Sequence, residues 1–301
     1  MNKKSLAVIK KKYEMGENII QHFKQHPSDQ NSLAMILISY DLQSGSYVKQ
    51  AKNKPRYIQQ YTTAIAKTIT QLGVRCKSIL EVGVGEATTL ANVVQKLPQL
   101  PDKIYGFDIS WSRVRYAVEY LKKKQLKNAL VFTSDLFNAP LADNSIDIVY
   151  TSHSIEPNGG REKAALESLL RITKKYLLLL EPAFELANKE AQQRMKEHGY
   201  VKNLYQTAQD LGLNIVEHRL FEISGNPLNP TGLIIIKKDV QKYKRVSNPL
   251  VCPITKTPLR LRNGAYFSSK SLLVYPIIDQ VPCLLTDNAI IASHYGKKIK
   301  V

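Results

Sequence analysis

Cysteine is scarce in this chain. Cys76, Cys252 and Cys283 are the only three among 301 residues, too few and too scattered for a disulfide framework. The expectation is a reducing, cytoplasmic setting. Long apolar runs are also missing. Stretches such as 177–180 and 233–236 have the length of strands, not the ~20 residues a helix needs to cross a bilayer. The first ten residues are charged without an apolar core of signal-peptide length, so no secretory leader is expected. Acid is short relative to base: 25 Asp and Glu face 43 Lys and Arg, a net charge of +18.

The excess base is unevenly spread. Residues 1–70 carry 11 basic against 4 acidic residues, residues 71–236 carry 20 against 18, and residues 237–301 carry 12 against 3. Basic flanks around a near-neutral centre can hold RNA phosphates, or recruit a phosphorylated or carboxylated small molecule. Neither flank interleaves aromatics with cations as a base-stacking platform does, and ordinary solvation accounts for most single lysines. At 44% hydrophobic composition the chain has enough apolar material for a packed core and more than one domain.

The most informative stretch is 78–87, Ser-Ile-Leu-Glu-Val-Gly-Val-Gly-Glu-Ala: an apolar run ending in an acid, two glycines one residue apart, then a helix-prone segment. This reads as a strand, a tight turn and a helix start, where backbone is accessible to a ligand. A second apolar run, 103–108, ends in Asp108, placed as a ribose-binding carboxylate would be. A dinucleotide fingerprint requires a third glycine three residues after the second, and Thr88 stands there instead.

Alternating patterns predict strands at 78–82, 103–108, 129–133, 146–151, 176–181, 214–221 and 232–237. Helices are predicted at 88–95, 112–123, 161–174, 187–198 and 204–211. The fold class is α/β: a mostly parallel seven-stranded sheet whose last two strands, lacking a helix between them, form an antiparallel hairpin. Residues 1–70 read as an N-terminal helical cap, with a break at Pro27 and a helix from about Ser32, and 239–247 as a charged linker. Residues 248–301 read as a small β-rich module.

The order acid-x-Gly-x-Gly at 81–85, Asp108, then Ser134-Asp135 resembles the class I methyltransferases, which use S-adenosylmethionine; the resemblance covers about 71–238 and implies their Rossmann-like sheet. It also implies roles. Gly83 and Gly85 admit the amino-acid end of the cofactor, with Glu81 ordering the turn. Asp108 accepts from both ribose hydroxyls, Ile109 packs on adenine, Asp135 takes the adenine amino group, and the Leu136 N–H meets a ring nitrogen. Ser134 and Ser152 complete that wall. One departure is Ala87, where many family members have a third glycine.

The loop after the fourth strand, 151–160, should face the transferred methyl group, and it lacks the Asn-Pro-Pro-Tyr signature of adenine and glutamine amide methylation. His153 is the best-placed base in it, although a strand-end histidine can equally serve neighbouring backbone. Glu156 and Asn158 could orient substrate or shape the turn, and for Asn158 a helix cap is favoured. Family members commonly lay N-terminal helices across the cofactor cleft, which makes Tyr40, Gln43 and Tyr47 substrate-side candidates; packing of the cap explains the tyrosines equally well.

The Leu-Val-Cys-Pro turn at 250–253 and Tyr-Pro-Ile-x-Asp-x-Val-Pro-x-Leu-Leu at 275–285 resemble the small zinc-ribbon-like activator subunit of tRNA, rRNA and release-factor methyltransferases, and its short bacterial relatives. Metal-binding relatives have a second cysteine where Thr255 stands, so the expectation is a module without metal. The expected function is methyl transfer to oxygen of a small molecule, sugar-derived or nucleotide-linked compounds being candidates. RNA methylation and a non-catalytic, cofactor-binding regulatory role are the alternatives.

Overall fold

The computed structural model describes residues 3–24, 26, 30–238 and 248–297. Its centre is a seven-stranded sheet of order β3-β2-β1-β4-β5-β7-β6. The strands are β1 (Ser78–Val82), β2 (Lys103–Asp108), β3 (Ala129–Thr133), β4 (Ile146–Ser152), β5 (Thr173–Pro182), β6 (Ile215–Leu220) and β7 (Thr231–Lys237). Ile79, Leu80 and Val82 of β1 are all buried, because helices cover both faces of a parallel sheet. As expected, the parallel order breaks only at the end, where β7 runs antiparallel to both β5 and β6.

The helices are α1 (Lys3–Glu14), α2 (Ile19–Phe23), α3 (Leu33–Leu42), α4 (Ser46–Asn53), α5 (Pro55–Gln71), α6 (Thr88–Val94), α7 (Trp111–Lys123), α8 (Glu162–Ile172), α9 (Lys189–His198) and α10 (Leu204–Asp210). On one face Leu166 and Leu169 of α8 pack with Leu80, Phe107, Phe132 and Leu177. On the other, Ile65 and Ile69 of α5 pack with Ile79, Leu90, Val94, Val114 and Leu178. So α5, within the segment read as a cap, is one of the helices that cover the sheet. Helix α8 stops at Ile172, two residues before its expected end, because Thr173 turns extended and pairs with Ile146 to begin β5. A β-branched residue accepts that change readily.

The cap is latched to the sheet domain by two carboxylates, half-buried Asp41 and buried Glu86. Asp41 accepts from Ser110 Oγ at 2.6 Å, Ser112 N at 3.1 Å and Ser112 Oγ at 3.0 Å. Glu86, fully buried, accepts from Gly45 N at 2.8 Å and Val48 N at 2.6 Å. Helix α3 starts at an N-cap, Ser32, as its sequence suggested. Pro27 and the 239–247 linker lie outside the described residues.

The C-terminal module is a small sheet of β8 (Arg260–Arg262), β9 (Ala265–Ser268), β10 (Leu273–Ile278) and β11 (Val281–Pro282), with β12 (Ile290–Ile291) also paired to β10. It docks beside β3, the edge of the large sheet. Leu284 N donates to Thr133 O at 3.0 Å, Val251 N to Pro140 O at 2.9 Å, and Ala142 N to Pro249 O at 2.8 Å. Leu250, Cys252, Leu259, Tyr275 and Leu284 join the core that holds Phe132 and Leu141. Covering an edge strand removes a template for unwanted pairing.

Candidate active site

The strand order reverses between β1 and β4, so a crevice opens beyond their carboxyl ends. There a cleft is lined by residues including Tyr40, Gly83, Asp108, Ile109, Asp135, Leu136, Ser152, His153 and Asn158. The sequence brought most of its candidates to this place. Four did not arrive on the wall: Glu81, Gly85, Gln43 and Glu156.

Asp108 ends β2 with its carboxylate fixed by the backbone. Gly85 N donates to Oδ2 at 3.0 Å and Ser110 N to Oδ1 at 2.9 Å. Burial raises its pKa from the ordinary carboxylate value, against the nearby Arg113 charge and these N–H groups. Gly85 therefore acts by aiming Asp108. Both turn glycines have left-handed backbone, φ +67° at Gly83 and +51° at Gly85, which a side chain would strain. The space a Cβ would take is already filled: at Gly83 it would lie 2.2 Å from Ser154 Cβ, and at Gly85 3.1 Å from the Tyr47 ring. The glycines thus let the protein close on its own turn. Ala87 has φ +57°, which explains why glycine suits that position in the family it resembles.

Glu81 is buried away from the wall, accepting from the Tyr150 hydroxyl at 2.9 Å. Burial pushes its pKa up to about 8. An acid that binds its proton more tightly folded than unfolded supports stability fully below its ordinary value near 4.5 and loses that support as pH rises through about 8. Stability should therefore fall by up to about 1.4 kcal/mol per pH unit in that window from this group. Glu81→Gln should flatten the slope in urea melts between pH 5 and 8; an unchanged slope refutes the assignment.

Asp135 Oδ1 accepts from Phe137 N at 2.7 Å and Asn138 N at 2.9 Å, so it caps a turn while its residue lines the cleft beside Ile109, Leu136 and Phe137. Ser134 N bonds to Asp108 O at 2.9 Å, and Ser152 Oγ lies 2.8 Å from the Tyr61 hydroxyl. Tyr40 and Tyr47 both line the cleft, whereas the Gln43 amide turns back to Ser39 Oγ at 3.1 Å.

The loop after β4 is organised by a residue the site prediction missed. Glu181, at the end of β5, accepts from Ser154 N at 3.0 Å, Ile155 N at 3.1 Å and Glu156 N at 3.0 Å. Its signal was available, since it too is an acid ending an apolar run. His153 sits at φ +54°, with Nδ1 2.5 Å from Glu156 Oε2 and Nε2 2.8 Å from Thr231 Oγ1. Glu156 also accepts from Asn229 Nδ2 at 3.2 Å. Asn158 lines the cleft and bonds to Ile155 O at 3.3 Å; it is not the cap of α8, whose N-cap position is Arg161.

Burial lowers the imidazole pKa, but the Glu156 charge and hydrogen bond outweigh it, and the net shift is upward. Glu156 is also desolvated, yet His153 holds its carboxyl below the usual value. His153 also lines a second cleft, together with Gln50, Lys54, Tyr57, Ser224, Asn226 and Asn229.

Among the described residues no cluster of three His, Cys, Asp or Glu side chains could hold a metal. Cys252 Sγ instead lies 3.3 Å from the Tyr275 hydroxyl and accepts from Thr255 N at 3.4 Å. Chelator treatment should leave Tm unchanged; one zinc per chain by elemental analysis would overturn this.

Sheet order, the Gly-x-Gly turn and a carboxylate ending β2 define a nucleotide-cofactor α/β fold of the methyltransferase type. Residues 79–176, from β1 into β5, match a family model described as a methyltransferase domain. No curated protein matches the chain in sequence. Among solved structures, magnesium protoporphyrin IX methyltransferase from Synechocystis PCC 6803, with bound S-adenosylmethionine, is 13% identical over 72% of this chain and 99% of that one, at a TM-score of 0.51. The complex of the Haloferax volcanii Trm112 methyltransferase activator with a methyltransferase gives 13% identity, 65% and 94% coverage and a TM-score of 0.50. A methyltransferase from Aquifex aeolicus is 22% identical over 57% of this chain and 87% of that one, TM-score 0.46. The chain thus carries a methyltransferase domain, and S-adenosylmethionine is the cofactor bound in the Synechocystis enzyme of the same fold. The cleft of this chain fits that cofactor: Asp108 offers a fixed diol acceptor, and Ile109, Leu136 and Phe137 offer apolar surface for a purine.

Proposed function

We propose that the enzyme methylates a hydroxyl oxygen of a small polar molecule. The observation that carries this is the position of His153, held by Glu156 between the cofactor cleft and the cleft of Gln50, Lys54, Tyr57, Asn226 and Asn229. S-adenosylmethionine supplies a methyl group already activated on a sulfonium, so the protein's tasks are alignment and removal of one proton.

In the neutral imidazole Nδ1–H donates to the Glu156 carboxylate, which leaves Nε2 as acceptor; the Thr231 hydroxyl occupies it, and an acceptor hydroxyl entering from the second cleft takes over that bond. Nε2 receives the proton as oxygen attacks, and Glu156 steadies the resulting imidazolium. Amides, hydroxyls and one ammonium on the second wall suit a polar or anionic acceptor. The C-terminal module, which resembles an activator subunit, acts in this reading by covering the β3 edge and bracing the strand that leads to Ser134 and Asp135.

Because the His153 pKa is raised, the base form accumulates only as pH climbs above the ordinary histidine range near 6.5, and turnover should rise with it. Glu156→Gln leaves burial dominant and should move that limb to lower pH, while His153→Ala should cut kcat by about 100-fold or more. An unmoved limb or a mild loss would return His153 to a structural role. Labelled S-adenosylmethionine incubated separately with a small-metabolite extract and with total RNA tests the acceptor. Label in the extract is expected; label in RNA alone would refute a small acceptor in favour of RNA.

A further inference from the structure

The second cleft presents open donors and no acid. Its wall forms where the cap meets the antiparallel end of the large sheet. Gln50 comes from α4, Lys54 from the junction of α4 and α5, and Tyr57 from the first turn of α5; Ser224, Asn226 and Asn229 come from the loop between β6 and β7. No Asp or Glu lines it. Lys54 is exposed, and its ammonium makes no hydrogen bond or ion pair with another described residue. The Tyr57 hydroxyl is open in the same way. It stands 2.9 Å from where a Gly225 Cβ would be, so glycine there keeps a side chain from crowding it. Asn226 commits Oδ1 to Leu228 N at 2.9 Å, which leaves its amide N–H groups as the free end. Asn229 offers no acceptor in exchange, since its Oδ1 is enclosed and its amide donates to Glu156 Oε2 at 3.2 Å.

A cation, a hydroxyl and an amide N–H group without a carboxylate among them favour an oxyanion over a neutral polyol, whose hydroxyls need acceptors as well as donors. Glu156 does not oppose such a guest, because its charge is taken up by His153 and Asn229. We propose that the methyl acceptor carries a carboxylate or phosphate, bound at the Lys54 end of this cleft with Tyr57 and Asn226 donating beside it, while its hydroxyl reaches His153. Lys54 is then the residue that selects anionic acceptors. An ammonium is a point charge on a flexible stem and requires no planar partner, so either oxyanion fits it. The inference rests on the reading of the second cleft as the acceptor site.

Two measurements test it. In the first, acetate, inorganic phosphate and, as the neutral comparison, glycerol are titrated at constant ionic strength into the intact chain saturated with S-adenosylhomocysteine. The His153 imidazole resonance, identified by its loss in His153→Ala, is followed by NMR. At least one anion should shift it saturably and glycerol should not; the tighter of the two anions identifies the oxyanion. Lys54→Met should weaken that anion about 10-fold or more, Lys54→Arg should retain it, and Lys52→Met, outside this cleft, should change nothing. No saturable shift with either anion, or a shift that Lys54→Met leaves intact, overturns the proposal. In the second, label transferred from S-adenosylmethionine into the metabolite extract is passed over an anion exchanger. Label in the retained fraction, falling about 10-fold or more in Lys54→Met, is expected; label only in the unretained fraction overturns the proposal. If His153→Ala turns over normally while the anion still binds through Lys54, the base assignment falls and the anion site stands.

Discussion

Alanine in place of Asp108 is expected to weaken cofactor binding by about 100-fold or more. A carboxylate bridging two ribose hydroxyls makes two charge-assisted hydrogen bonds, each contributing about 1.5–3 kcal/mol, and nothing else on the wall can replace both. The same oxygens hold Gly85 N and Ser110 N, so alanine also frees the turn and the start of α7. Asp108→Asn separates the effects: it keeps an acceptor for the backbone but loses the charge and one diol acceptor. Its affinity should fall between those of the native chain and the alanine variant, with Tm near native. Titration of S-adenosylhomocysteine measures this, and unchanged affinity in Asp108→Ala would remove the residue from the site.

The largest stability loss is expected at Glu181. Its removal strands three consecutive backbone N–H groups, those of Ser154, Ile155 and Glu156, in a buried loop. At about 1–3 kcal/mol for each unsatisfied donor, Glu181→Ala should cost at least about 3 kcal/mol. For a chain of this size that corresponds to roughly 5 °C or more in Tm. Glu181→Gln retains acceptor oxygen only on one side and should lose less. Because the same carboxylate sets the backbone that points His153 toward the two clefts, turnover should fall in both variants even at temperatures where they remain folded. A Tm within 2 °C or so of native for Glu181→Ala would show that the loop is held by its packing.

Much of the site was legible because strands bury both faces and then must stop. An acid closing an apolar run such as Ile79-Leu80 or 177–180 marks the carboxyl end of a buried strand, so Glu81, Asp108 and Asp135 announced their positions at the carboxyl edge of the sheet. The strand starts at 78, 103 and 129 were read to the residue for the same reason, since alternation and burial are local properties.

What the sequence by itself determined is therefore the α/β class, the parallel sheet with its terminal antiparallel pair, and the cofactor end of the cleft. Which acids face the ligand and which face the protein was decided only in three dimensions. Glu81 and Asp108 stand at equivalent ends of neighbouring strands, yet one is spent on Tyr150 beneath the turn and the other lines the cleft. Gly85, read as a ligand contact, instead points Asp108, because Tyr47 from a cap nearly 40 residues earlier fills the space above it. The pairing of His153 with Thr231, the bond from Arg113 Nε to Tyr40 O and the docking of Leu284 on Thr133 join segments far apart in the chain. Such contacts leave no periodic trace in sequence, since their geometry is set by how helices and strands pack across the sheet rather than by any neighbour along the chain.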